Sequence, residues 1–153
     1  MKVKKKGKGL ATFYALVGAV AVLAGGVSSI SANNWEDTRW AFHYNGDGSD
    51  VATKARDKED NTYSYVRNDS EVTINAACGA KEGINAGDYG IPMAATYTTW
   101  YYQVGSGERK YFPNDAHEEG YSATFLITSS ADHNEHYIHG YWSPDNCSGY
   151  GTP

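Results

Sequence analysis

From residue 33 onward the chain runs in short stretches of period two, in which apolar or aromatic residues alternate with polar ones. Clusters of Gly, Asp, Asn and Ser cut each stretch short. Successive side chains on a strand point to opposite faces, so this period marks strands with one buried face. In "RWAFHY" (39–44), Trp40, Phe42 and Tyr44 share one face while Arg39, Ala41 and His43 share the other. "NGDGSD" (45–50) then reads as a turn. "TYSYV" (62–66) and "EVTINAA" (71–77) read as the next two strands, with Val72, Ile74 and Ala76 facing inward. After the glycine-rich "GAKEGINAGDYG" comes the long β-prone run "MAATYTTWYYQV" (93–104). It puts Tyr97, Thr99 and Tyr101 on one face, and Trp100, Tyr102 and Val104 on the other. "RKYF", "YSATFLITS" (with Tyr121, Ala123, Phe125 and Ile127 on one side) and "EHYIHGYW" complete the set. Six to eight short strands with no helical period predict an all-β fold, a small antiparallel β-sandwich or barrel.

Residues 1–32 are of another kind. "MKVKKKGKG" carries five lysines and no acid, "LATFYALVGAVAVLAGGV" is an unbroken apolar and glycine run, and "SSISA" ends in small residues. Basic, apolar and small-residue regions in that order make a secretory signal peptide, with cleavage expected after Ala32. A retained anchor is the competing reading, because an apolar run of about 18 residues is near the spanning minimum. Its Gly and Ala content dilutes the hydrophobicity. The expected organisation is a signal peptide over 1–32 and a single secreted β domain over 33–153. That domain is extracellular or held at the cell envelope, with no stable membrane span once the signal is cleaved.

Cleavage also changes the charge. Of the 13 Lys and Arg, five leave with the signal, so eight face all 18 Asp and Glu and the formal charge becomes −10. Binding to nucleic acid or anionic lipid depends on Lys and Arg displacing counterions, so neither is an expected partner. Cys78 and Cys147 both lie in the exported part. An even count in an oxidising compartment favours one disulfide, which closes about 70 residues and contributes on the order of 4 kcal/mol by loop entropy. A thiol nucleophile is the alternative, but neither cysteine has an evident neighbouring base.

The exported part keeps 19 of the 21 Phe, Trp and Tyr residues. Aromatic rings supply much buried area per residue, so a small domain poor in Leu can fill its core with them. The alternative is a row of exposed rings that stacks on sugars or on a protein partner. "TYTTWYYQ" is the candidate stretch, with Tyr97, Trp100, Tyr101 and Tyr102 as candidate binding residues.

The stretch "DHNEHYIHGYWSPDNC" (132–147) holds three of the five histidines. On a strand His133 and His139 face one way and His136 the other, so three imidazoles do not converge. His133 and His136 with Glu135 or Asp132 form a zinc set only if the loop at 131–135 folds back. "HNE" matches half of a zinc deaminase signature, but Pro144 and the lone Cys147 do not supply its Pro-Cys-x-x-Cys half. "HEEGY" (117–121) starts like a zincin helix and has Tyr121 where the second histidine belongs. "NGDGSD" offers oxygen ligands for calcium, but an EF-hand needs Gly at Asp50 and Glu at Arg56. No pair of carboxylates is singled out for acid–base work: Glu118 and Glu119 are adjacent, so on a strand they point apart. "VGSGE" lacks nucleophile-elbow spacing. No cofactor is expected.

Three segments carry a resemblance. "ARDKEDNTYSYVRN" (55–68), "YFPNDAHEEGYSATFLIT" (111–128) and "HGYWSPDNCSGY" (139–150) resemble an uncharacterised family of small exported proteins of Gram-positive bacteria. That family shows an Arg-x-Lys stretch before a Tyr-Val strand, an "E-x-GY" segment and a closing "G-x-WSPDS-x-GSY". Arg56, Lys58, Tyr65 and Val66 match the first part, and Glu118, Gly120 and Tyr121 the second. Gly140, Trp142, Ser143, Pro144, Asp145, Gly149 and Tyr150 match the third. The family is a domain of unknown function, so the resemblance implies export and a β domain, and no activity. Asn146 and Cys147 depart from the pattern, which marks Cys147 as a local addition that pairs with Cys78.

These readings converge on a secreted, non-enzymatic β domain that acts through its surface on an extracellular or envelope partner. Bacteriocin-like and signalling roles belong to this class. Coplanar exposed rings around Trp100 would instead favour a carbohydrate-binding module. Convergence of His133, His136 and a carboxylate would favour a metal-dependent hydrolase.

Overall fold

The computed structural model describes residues 37–145. The expected signal peptide, Cys147, Gly149 and Tyr150 lie outside the described residues. Within them run β1 (Thr38–Asn45), β2 (Val51–Ala52), β3 (Arg56–Asp57), β4 (Ser64–Asn68), β5 (Ile74–Ala80), β6 (Thr96–Tyr97), β7 (Tyr102–Val104), β8 (Arg109–Phe112), β9 (Ala123–Ser130) and β10 (Glu135–Ser143). The one helical element among them is a 3₁₀ turn at Pro92–Ala94. No helix among the described residues is long and apolar enough to cross a membrane.

Every strand pairing is antiparallel, and the strands form two sheets. One runs β1-β10-β4-β8; the other runs β2-β9-β5-β6, with β3 also on β9 and β7 also on β5. The fold is the expected antiparallel sandwich. Its ten strands exceed the expected six to eight because two edge strands are broken. Val51 and Ala52 pair with Thr128 and Ile127, but Arg56 and Asp57 pair with Thr124 and Ala123, a register slipped by one residue. One extra residue on one strand is a β-bulge. The Thr53 amide still donates to the Leu126 carbonyl on the β9 side (2.9 Å), while the Ala55 amide donates to Asp88 (2.7 Å).

A larger slip breaks the "MAATYTTWYYQV" run. Thr96 and Tyr97 pair with Ala80 and Gly79, whereas Tyr102, Gln103 and Val104 pair with Ala76, Asn75 and Ile74. Two surplus residues must loop out between them, so β6 and β7 are separate strands and the segment between them leaves the ladder.

The faces follow the period of two. Trp40, Tyr44, Val66, Ile74, Ala76, Phe112, Leu126, Ile138 and Trp142 fill the main core, with Phe42 and Val72 packed against it. Phe125, Ile127 and Ala123 point the other way and pack with Ala55 in a second cluster, against Ala52, Ile84 and Ala95. All eight residues of β9 are therefore buried. Where β10 meets β4 only glycine fits: a Cβ on Gly140 would lie 1.9 Å from the Arg67 carbonyl oxygen.

Candidate functional site

The register slip between β6 and β7 builds the most exposed aromatic surface of the fold. Trp100 is 85 % exposed, and Tyr97 and Tyr101 on either side of it are also open to solvent. The Tyr97 and Tyr101 rings lie 5.5 Å apart, tilted by 50°, and their hydroxyls are 3.0 Å apart. Tyr101 donates a short hydrogen bond to Asp50. Burial, followed by the hydrogen bonds to Asp50 and Tyr97, pushes its phenol well above the usual range. A depression of about 460 Å³ beside Trp100 is bounded by Tyr97, Thr98, Tyr102, Pro113 and Asp115. The same β5–β7 connection also exposes Tyr89, Ile91 and Met93. Tyr102 was expected among the binding residues, but its ring stacks on buried Phe112, with centroids 5.1 Å apart and planes 12° from parallel. It serves mainly as packing because the surplus residues are absorbed before it, returning it to the sheet.

The histidine stretch diverges as a strand requires. Glu135 pairs with His43 across the β1–β10 ladder (3.1 Å), while His136 turns to Asp132 (3.0 Å). His133 sits in the loop with φ at 55°. Hydrogen bonds from Ser130, His136 and Asn134 hold the Asp132 carboxyl well below the usual carboxylate range. No group of three or more His, Cys, Asp or Glu among the described residues is arranged to hold a metal ion. In "NGDGSD", Asp47 accepts from the Ser49 amide (2.9 Å) and hydroxyl (2.5 Å), and Asp50 faces the tyrosines. Asp47 Oδ1 serves the loop's own turn, and Asp50 Oδ2 accepts from the tyrosines of the neighbouring edge. Glu118 and Glu119 lie in a turn and not on a strand, both exposed.

Cys78 carries a free thiol at the centre of the sandwich, and with Cys147 outside the described residues the expected disulfide is not part of the described structure. Burial pushes that thiol up to about 12, which removes the thiolate a nucleophile needs.

The residues that sequence reasoning passed over are Lys58 and Asp145. Their side chains are both 0 % exposed, with Nζ 2.6 Å from Oδ1. Nζ also donates to the Thr62 carbonyl (2.5 Å), and the Glu59 amide donates to Asp145 Oδ2 (3.2 Å). Burial pushes the Asp145 carboxyl up, against the lowering effect of Lys58. Around the pair the Ser64 hydroxyl donates to the Pro144 carbonyl (2.8 Å). The Asn114 amide group donates to Ser64 (2.8 Å), and the Thr98 hydroxyl to Asn114 Oδ1 (2.7 Å). Buried polar groups are costly unless each finds a partner, and here they partner one another. Lys58 stands among charged residues in "RDKED", and only its place in the resembling Arg-x-Lys and WSPD segments set it and Asp145 apart.

No curated protein and no solved structure matches the chain. A family described as a protein of unknown function, DUF2712, matches residues 27–146, and the chain belongs to that family.

Proposed function

We propose that this chain is a secreted, non-enzymatic binding protein that engages a protein partner outside the cell or at its envelope. The observation that carries this reading is the looped-out edge at Trp100, continued along the same connection by the fully exposed Met93 and by Tyr89. Aromatic residues and Met are enriched at protein interfaces, and exposed apolar patches on a soluble domain mark contact sites. The Asp50–Tyr97–Tyr101 group favours a second reading, recognition of a carbohydrate, because it sets a carboxylate beside rings. The 50° tilt between those rings weighs against a flat stacking platform.

Labelled full-length chain applied to cells of the exporting strain separates the two. Binding that vanishes after protease treatment of the cells and in Met93→Ser/Trp100→Ala supports a protein partner. Binding that survives the protease and yields to soluble envelope oligosaccharides supports the carbohydrate reading. A double variant that binds as well as the parent removes the Trp100 edge from either account.

A further inference from the structure

We propose that Lys58 and Asp145 join in an intramolecular amide bond that the chain forms on itself, Nζ replacing one oxygen of the Asp145 carboxyl. The inference rests on the buried pair and is independent of the surface around Trp100.

Three features of the pair favour condensation over a lasting ion pair. The first is proximity. Nζ is 2.6 Å from Oδ1 with the carboxyl carbon one bond further, and a reacting pair held this close needs no further encounter. The Thr62 carbonyl holds the amine from its other side, and the Glu59 amide holds Oδ2, where charge develops as the carbon becomes tetrahedral. The second is dryness. Both side chains are fully buried, and burying two opposite charges carries a large desolvation cost. Moving one proton from the ammonium to the carboxylate discharges both groups, leaving an amine beside a carboxylic acid. The third is a proton carrier. Asp60 Oδ1 lies 3.9 Å from Nζ with its side chain 35 % exposed, and the Thr62 amide (2.8 Å) and hydroxyl (2.5 Å) donate to that oxygen and hold it there.

The step balances without a co-reactant. The Nζ lone pair attacks the Asp145 carboxyl carbon and a C–N bond forms. Asp60 takes a proton from the nitrogen and passes it to the departing hydroxyl. The C–O bond then breaks and one water leaves along the Asp60 side. Nothing is oxidised or reduced. The product is a neutral amide whose N–H and C=O can inherit the Thr62 and Glu59 hydrogen bonds. It ties the segment after β3, in the six-stranded sheet, to the segment after β10, in the four-stranded sheet.

The test is peptide mapping of the full chain, purified folded, then denatured, reduced and alkylated so that no disulfide contributes. Trypsin should leave Lys58 uncut and release residues 57–67 joined to residues 111–153, lighter than the two peptides together by one water (~18 Da). The linked peptide should be absent from Lys58→Arg and Asp145→Ala. Asp60→Asn should keep the parent circular dichroism and accumulate the link at least ~100-fold more slowly, the scale of a lost general acid–base group. Cleavage after Lys58 and separate peptides from folded parent protein would overturn the bond and leave an ion pair only. Undiminished linking in Asp60→Asn would overturn the part given to Asp60.

Discussion

Tyr102 lies nearly parallel to Phe112 inside the sandwich wall, although Trp100, two residues earlier and on the same face of an unbroken strand, stands in solvent. The register slip separates packing from display within one short run. Phe112→Ala should therefore cost about 3–5 kcal/mol in urea melts. Trp100→Ala should stay within about 0.5 kcal/mol of the parent, so loss of binding by that variant reads as loss of contact and not of fold.

The fate of the buried pair is legible in stability as well as in mass. Replacing a buried ion pair by apolar residues of similar size is often neutral or stabilising. A covalent link spanning 87 positions restricts the unfolded chain by about 4–5 kcal/mol in the loop-entropy account. Lys58→Met/Asp145→Leu should accordingly fall below the linked parent by roughly that amount in guanidinium unfolding. Equal stability of the two would mean that no link is present.

The turn at 130–136 gives an acid-side signature. An unfolded aspartate titrates near 3.9, and Asp132 in the fold titrates well below that because Ser130, His136 and Asn134 donate to its carboxylate. A depressed carboxyl stabilises the fold above the unfolded value and loses that contribution as pH falls through the folded value. Melting temperature should drop from about pH 4 downward. Asp132→Asn should flatten that limb of the curve without steepening it.

Cys78 offers a chemical probe of the C-terminal segment. With its thiol pushed up to about 12 by burial, the reduced, folded chain should leave Cys78 unalkylated by iodoacetamide at about pH 8, and denaturant should expose it. Asp145, two residues before Cys147, already raises that thiol by its charge. A disulfide between the two cysteines, which we propose for the exported chain, predicts no free thiol in denatured, unreduced protein. Two free thiols would dismiss it.

Gly140→Ala should be among the most damaging small substitutions. Its Cβ would stand 1.9 Å from a backbone oxygen of β4, and backbone cannot swing aside as a side chain does. A cost of about 3 kcal/mol or more, at the upper end of overpacking, is expected in thermal melts.

The strands were legible because a period of two is written residue by residue. Trp40, Phe42 and Tyr44 reach one face by parity alone, as do Ile138 and Trp142, and the same parity separates His136 from its neighbours. The bulges at 53–55 and 98–101 were not legible. An extra residue leaves no mark in composition, and the slip is defined only against partners such as Thr124 and Ala76, far away in the chain. Lys58 was hidden for the same reason. Its neighbours are charged, and the buried carboxylate that it pairs with at 2.6 Å is 87 positions off.

The order β1-β10-β4-β8 also sets a timetable. The last described strand is an inner one, so β1 has no partner in its sheet, and β4 only β8, until residues 135–143 arrive. A chain emerging N-terminus first, from the ribosome or through a translocation pore, cannot complete this half in stages. The delay keeps this half threadable until residues 135–143 are available, after which closure draws on contacts of long sequence separation, the slow class of folding reaction.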